Sequence, residues 1–175
     1  YTATLTDANG CTASTTIAVG GPTQPLSATV PSLDHVPCHG GHNGSATAQA
    51  AGGTAPYTYS WNTAPATNAA TASGLGAGTW TVTVTDAAGC MASAQVVVQQ
   101  PAQPLGASWE NQHNVTCYGA NDGSVSIIAT GGSGAYGITW NTTPVQTGST
   151  ATGLAPGPYT ATIADLNGCA QTVDL

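Results

Sequence analysis

The sequence has 175 residues and a formal net charge of −7, because it contains acidic residues but neither lysine nor arginine. Nucleic-acid binding and docking on anionic lipid both rest on cationic side chains, so this composition excludes nucleic acid and membrane surfaces as partners. β-branched and aromatic residues recur in alternating runs, which disordered chains lack, so we expect a folded protein.

The chain opens with two strands joined by a tight turn. An alternating strand covers residues 1–7, and a second covers residues 11–19 after an Asn-Gly turn. A hairpin of this size is marginally stable on its own, so we interpret residues 1–24 as the C-terminal part of a preceding repeat. We therefore expect the sequence to be a segment of a longer polypeptide.

The same pattern recurs twice farther along the chain. Residues 79–90, TWTVTVTDAAGC, place apolar side chains on one face of a strand and threonines on the other. Related segments end at Cys11 and Cys169, so the three copies are each 79 residues apart. Residues 105–175 align with the preceding unit without insertion or deletion. We predict one complete repeat in residues 25–104 and a second in residues 105–175.

Within the first complete unit, short strands alternate with turn signals. Strands are expected at residues 26–30, 45–51, 57–61, 69–72, 79–85 and 91–99. Pro101 and Pro104 mark a short, stiff linker to the second unit. Six or seven short strands in such a unit are typical of an antiparallel immunoglobulin-type sandwich. We therefore predict an all-β chain of tandem immunoglobulin-like β-sandwiches.

Three spaced motifs carry a family resemblance. Each occurs in both units, at residues 38–45 and 117–124, 52–61 and 131–140, and 74–90 and 153–169. Together they resemble the SprB-type repeat, which is similar to domains of the polycystic-kidney (PKD) type. The resemblance implies a structural or adhesive module of a giant secreted surface protein of Bacteroidetes, some of which are tied to gliding motility. It implies no particular ligand.

The cysteines fall into two classes. Cys38 and Cys117 open the units, whereas Cys11, Cys90 and Cys169 follow the turn. We expect bonds within units, Cys38–Cys90 and Cys117–Cys169, which leave Cys11 to a partner beyond the sequence. In standard immunoglobulin order these cysteines lie at opposite ends of the sandwich, about 20 Å apart, which is too far for a disulfide. Two alternatives remain: the 38–44 loop folds back along the sheet so that the bond within the unit can form, or the bond joins neighbouring units, for instance Cys38 to Cys169.

Two groups of side chains have the chemistry of metal ligands. The first surrounds Cys38 and consists of Asp34, His35, His39 and His42. The second unit does not repeat it, so we interpret it as a variable surface loop. The other group is the aspartate that opens each turn: Asp7, Asp86 and Asp165. Such an aspartate could bind calcium with turn carbonyls, but it more commonly accepts hydrogen bonds from backbone amides two residues on. We predict no metal and no cofactor.

The aromatic residues suggest a core and one contact site. Trp61 and Trp140 alternate with other aromatics on one strand face in both units, so we expect them in the core rather than on a sugar-stacking platform. Trp109 differs, because its counterpart is Val30. We predict that Trp109, Pro101 and Pro104 form contacts between domains.

The function predicted from these features is structural. No nucleophile and base recur together in both units, so we predict no enzyme. Disulfides and the lack of tryptic sites favour an extracellular, cell-surface location, and no apolar run could insert into a membrane. The expected partners are neighbouring repeats or protomers in a filament. The alternatives are a carbohydrate- or surface-binding module, and a spacer that presents a distal head domain.

Overall fold

A computed structural model describes residues 1–175, which fold entirely into β-strands and connecting loops. The first two strands, β1 (Thr2–Thr6) and β2 (Thr12–Thr16), form an antiparallel hairpin. All of their residues are exposed, as expected of a hairpin that has no second sheet to pack on. The chain has no helix with the length and apolarity needed to cross a lipid bilayer.

The first complete unit contains six strands in two antiparallel sheets. They are β3 (Ser27–Asp34), β4 (Gly44–Ala51), β5 (Thr58–Trp61), β6 (Thr71–Leu75), β7 (Gly78–Thr85) and β8 (Met91–Val98). One sheet has the order β3-β4-β6 and the other β5-β7-β8. Buried residues alternate with half-buried ones in the first half of β4 and the second half of β7, because each sheet turns one face to the core and the other to water.

The second unit repeats this arrangement. Its strands are β9 (Gly106–His113), β10 (Gly123–Thr130), β11 (Gly137–Trp140), β12 (Thr150–Leu154), β13 (Thr160–Ala164) and β14 (Ala170–Asp174). The sheets have the orders β9-β10-β12 and β11-β13-β14. The prediction of an all-β chain of tandem immunoglobulin-like sandwiches is therefore confirmed.

Each unit has its own hydrophobic core. Trp61 and Leu75 lie at the centre of the first core, and Trp140 and Ile163 at the centre of the second. Each indole N–H donates a hydrogen bond to a backbone carbonyl, Trp61 to Ala69 at 3.1 Å and Trp140 to Gly148 at 2.9 Å. The polar edge of a large apolar ring is thereby satisfied inside the core. The two cores share no residue, so the sandwiches pack separately.

The linker between the units is held against the second unit by a pair of glycines. Gly132 N donates to the carbonyl of Gln103 at 3.0 Å. Gly131 has φ +69°, and a Cβ there would collide with the Pro104 carbonyl, so glycine alone fits this close approach. The first unit repeats these contacts 79 residues earlier, at Gln24, Pro25, Gly52 and Gly53. Each unit thus binds the linker that precedes it in the same way.

Candidate functional site

A disulfide between Cys38 and Cys169 crosses from the first unit to the second. Cys38 lies in the loop between β3 and β4, and Cys169 lies in the turn between β13 and β14. The Cα atoms are 5.7 Å apart and the cysteines are 131 residues apart in sequence. We call the loop of residues 37–41 together with the turn of residues 165–169 the junction. The junction is a covalent contact between different surfaces of two similar units.

The loop side of the junction is fixed at the end of strand β8. Val36 N donates to the Gln99 carbonyl at 2.9 Å, and Gly40 N donates to Gln100 Oε1 at 2.8 Å. Both acceptors follow directly after β8. The Cys38 sulfur is therefore held at the end of the first unit from which the linker departs.

The expected bonds within units, Cys38–Cys90 and Cys117–Cys169, are wrong. Cys90 precedes β8 whereas Cys38 packs where β8 ends, and the eight residues of that strand span about 24 Å. A disulfide requires Cα atoms within about 7 Å, so two cysteines of one unit cannot meet. The alternative bond between units is the one present. Cys11, Cys90 and Cys117 are free and exposed.

The junction has polar contacts besides the disulfide. Asn167 Nδ2 donates to the Pro37 carbonyl at 2.9 Å, and the Cys169 sulfur lies 3.4 Å from the same oxygen. A disulfide sulfur carries no proton, so only the Asn167 contact is a hydrogen bond. Next to it a surface cavity of about 260 Å³ lies between the units, lined by His35 and Gln100 on one side and by Ser133 and Asn167 on the other.

The turn side of the junction is organised by the buried carboxylate of Asp165. It accepts backbone hydrogen bonds from Asn167 at 3.0 Å, Cys169 at 2.9 Å and Ser133 at 2.9 Å. Burial raises the pKa of the Asp165 carboxyl, but the hydrogen bonds from Ser133, Cys169 and Asn167 outweigh it, so the pKa lies below its ordinary value. An ionised Asp165 therefore presents Asn167 and Cys169 to the first unit.

Asp86 builds the equivalent turn in the first unit. Its carboxylate accepts backbone hydrogen bonds from Thr54, Ala88 and Cys90, each at 2.8–2.9 Å. The pKa of Asp86 is lowered, chiefly by the Thr54 N–H and further by those of Cys90 and Ala88, against the opposing effect of burial. Asp7 likewise accepts from the amide two residues on. The prediction that these aspartates hold their own turns is confirmed.

The matches with known proteins fall on corresponding parts of the two units. The model of the SprB repeat matches residues 35–66 and residues 110–144. These two segments of the chain are thus similar to the SprB repeat. Both matched segments include the loop cysteine, Cys38 or Cys117, and end beyond the tryptophan strand, β5 or β11. The loop that supplies the junction cysteine thus lies within the segment matched by the family model.

One solved structure gives a further comparison. The crystal structure of a tetra-tandem repeat in the extending region of a large adhesion protein is 18% identical to this chain, with a TM-score of 0.31. The match covers 99% of this chain and 54% of that chain, so this chain spans about half the length of that structure. No curated protein matches the sequence.

The polar residues around Cys38 in the first repeat bind other parts of that repeat. Asp34 Oδ2 accepts from Ser45 Oγ at 2.6 Å, and His35 Nδ1 accepts from Gln99 N at 3.0 Å. His39 Nδ1 lies 2.9 Å from the Pro101 carbonyl. No three side chains of His, Cys, Asp or Glu come together as metal ligands would. These contacts assign the loop a positioning role at the junction.

The tryptophans at the equivalent positions 61 and 140 of the two repeats do not form a surface platform. Trp61 and Trp140 are 1% and 2% exposed, so the prediction that they are core is confirmed, and a sugar-stacking role for them is wrong. Trp109 is half-buried on the second core, with its ring centroid 6.2 Å from that of Trp140. Its predicted role as a contact between domains is wrong, because it packs within its own repeat.

The linker prolines lie where the two repeats meet. The Pro101 carbonyl contacts His39, and Pro101 lines the cavity beside Asn167. The Pro104 carbonyl lies against Gly131 of the second repeat. Pro101 thus contacts the loop side of the junction, whereas Pro104 belongs to the linker contact of the second repeat.

No motif in the sequence points to two of the junction residues, Asn167 and Pro37. The repeat pattern marks the position of Asn167 only in part. Asn9 occupies the equivalent position two periods earlier, but Ala88 occupies it in the first repeat. Pro37 contributes a backbone carbonyl, and Thr116 is its counterpart in the second repeat. Every residue has a backbone carbonyl. The residue type therefore does not indicate which carbonyl accepts the hydrogen bond from Asn167.

Proposed function

We propose that this chain is a structural and adhesive repeat segment of a long extracellular filament or adhesin at a cell surface. The observation that carries the proposal is the junction, in which the 37–41 loop of one SprB repeat is bonded to the 165–169 turn of the next. Because the two sides of this contact are different surfaces, the contact does not close into a dimer, and its repetition extends the array.

The chemistry of the chain supports a location outside the cytoplasm. A disulfide between separately packed sandwiches persists in oxidising compartments and is rare in the cytosol. The chain has no lysine or arginine, so trypsin-like proteases have no cleavage site on its surface. Both features suit a protein exposed to the extracellular medium. The similarity to the SprB repeat favours a location at the cell surface.

The proposed mechanism is extension rather than reaction. Each sandwich packs around its own core, so stability is roughly additive along the chain and length is gained by copying units. The histidines and aspartates of the junction are bound to backbone and side-chain groups of the protein, which supports a structural role for them. The proposed partners are neighbouring SprB repeats in the same chain or in other protomers. We propose no carbohydrate site on Trp61 or Trp140, because both are buried.

Immunogold electron microscopy tests this proposal. Antibodies raised against the oxidised 175-residue chain are applied to intact cells that produce the protein, and we expect gold particles along filaments outside the outer surface. Antibody pre-absorbed with the same chain is the control for specificity. Labelling that appears only after the cells are permeabilised would contradict an extracellular role.

A further inference from the structure

We infer that the disulfide between the two SprB repeats is one link of a continuing series. Cys117 then bonds the turn cysteine of a further SprB repeat on its C-terminal side, and Cys90 bonds the loop cysteine of a repeat on its N-terminal side. This inference rests on the proposed role of the chain as part of a longer array. It identifies the partner of Cys90 and the partner of Cys117 as cysteines of other units of the same kind.

The 79-residue period relates the free cysteines to the bonded ones. Cys117 is the equivalent of Cys38, and Cys90 is the equivalent of Cys169. In the observed bond, a loop cysteine joins the turn cysteine of the repeat that follows it. The same rule directs Cys117 to a following repeat and Cys90 to a preceding one. Since bonding within a repeat is prevented by the length of the sandwich, neither cysteine has a partner inside its own unit.

The turn side of a junction is already formed around Cys90. A cavity of about 260 Å³ there is lined by Cys90, Asp86, Gly53 and the linker of residues 22–26. Their equivalents are Cys169, Asp165, Gly132 and residues 101–105, which lie at and beside the observed junction. The Asp86 carboxylate holds the Cys90 amide at 2.8 Å, as Asp165 holds that of Cys169. The turn around Cys90 in the first repeat therefore has the same arrangement as the turn around the bonded Cys169 in the second repeat.

The loop side of a junction is presented around Cys117. A cavity of about 590 Å³ there is lined by residues 115–119 and Pro156, and the Tyr118 side chain is fully exposed. Val115 is only half-buried, whereas its equivalent Val36 is buried beside the observed junction. Apolar surface is thus available next to the Cys117 thiol for a following repeat and its linker to cover.

Formation of the bond follows ordinary thiol–disulfide exchange with a small disulfide, such as oxidised glutathione, as the oxidant. The Cys117 thiolate attacks one sulfur of the small disulfide, forms a mixed disulfide and releases one small thiolate. The thiolate of the turn cysteine in the following repeat then attacks the Cys117 sulfur and releases the second small thiolate. Two protein thiols are oxidised to one disulfide, one small disulfide is reduced to two thiols, and the two protons lost by the protein thiols are taken up by the two small thiolates.

The test is a lengthened chain in which one more copy of residues 97–175 follows Leu175. Within the added copy alone, Tyr118→Phe and Gln171→Asn at two exposed positions give its cysteine peptides masses that differ from those of the original repeat. This insert is one period long and carries one loop cysteine and one turn cysteine. After refolding in a glutathione redox buffer, free thiols are alkylated and linked peptides are mapped after peptic digestion, because trypsin has no site. We expect Cys117 to be bonded to the added turn cysteine. The number of free thiols should stay at the three of the original chain, although two cysteines were added.

Two controls make the result decisive. The Cys38–Cys169 bond, measured in the same sample, reports that the junction geometry has formed. Cys117→Ser in the lengthened chain should raise the number of free thiols to four, because the added turn cysteine loses its partner. Recovery of Cys117 in alkylated form, or bonded to Cys169 of its own repeat, would overturn the inference.

Protein isolated from its native cells gives an independent answer if the lengthened chain fails to refold. Its Cys117 should be bonded to a turn-cysteine peptide, and alkylated Cys117 there would refute the series. Immunogold labelling does not depend on the oxidation state of Cys117. If gold labels the cell surface but Cys117 is recovered as a free thiol, only this inference is refuted. If gold labels only the cytoplasm, the proposed function is refuted.

Discussion

The disulfide between Cys38 and Cys169 should limit how far the chain can be stretched. When force is applied at the two termini, tension passes through the bond and bypasses residues 39–168. With the bond intact, only residues 1–38 and 169–175 can lengthen, to roughly 150–160 Å at full extension. Reduction returns 131 residues to the stretched chain, which at about 3.3–3.6 Å per residue adds roughly 430–470 Å.

Single-molecule force spectroscopy measures this difference directly. Handles are attached to the termini by chemistry that does not use thiols, and the oxidised and reduced chains are stretched to full extension. Cys38→Ser should behave like the reduced chain under all conditions. Cys117→Ser is the matched control, because it removes an exposed free thiol and should leave the oxidised contour length unchanged.

The three possible outcomes are well separated in contour length. If the oxidised chain extends by as much as the reduced chain, the bond between repeats is absent and the proposed junction is wrong. If reduction lengthens the chain by only about 52 residues, or about 170–190 Å, the disulfide lies within one repeat. A gain near 450 Å is expected only from the bond between the two repeats.

Three other predictions concern stability. Trp61→Ala should cost about 3–5 kcal/mol of the stability of the first repeat, and hydrogen exchange should lose protection in residues 27–98 while the second repeat keeps it; equal loss in both would contradict separate cores. Gly119→Ala should cost about 1–2 kcal/mol from its positive φ alone, since a Cβ there meets nothing. Gly131→Ala should cost more in denaturant unfolding, because its Cβ also collides with the linker; equal costs would refute that contact. The lowered pKa of Asp165 means that its stabilisation is fully present above the unfolded-state pKa of about 3.9 and is lost as the pH falls through the folded-state value. The melting temperature should therefore decrease when the pH is lowered below about 4. The variant Asp165→Asn should have a lower melting temperature at neutral pH and a weaker dependence of the melting temperature on acid. An unchanged pH profile in the variant would refute the assignment.

Much of the fold could be predicted because its determinants are local. The alternation along residues 79–85 predicts a half-buried strand, and that strand forms as β7 (Gly78–Thr85). Trp61 and Trp140 could be assigned to the core because they lie on the same strand face at one period's distance. Asp86 could be assigned to its turn because it accepts hydrogen bonds from amides two and four residues away. The strand, the core tryptophans and the turn aspartate are determined by residues nearby in the sequence. Each also occurs at the equivalent position of the other repeat, which supports its assignment.

The sequence by itself determined the period, the strands, the two cores and the two classes of cysteine. The choice of disulfide partner was decided only by the tertiary structure, because it depends on which ends of two sandwiches meet. Cys38 and Cys90 are closer in sequence than Cys38 and Cys169, yet they lie at opposite ends of β8. The linker brings Cys169 to the loop end of the first repeat. The packing of Trp109 on Trp140 was decided in the same way, because a side chain between two sheets is placed by the fold and not by its own segment.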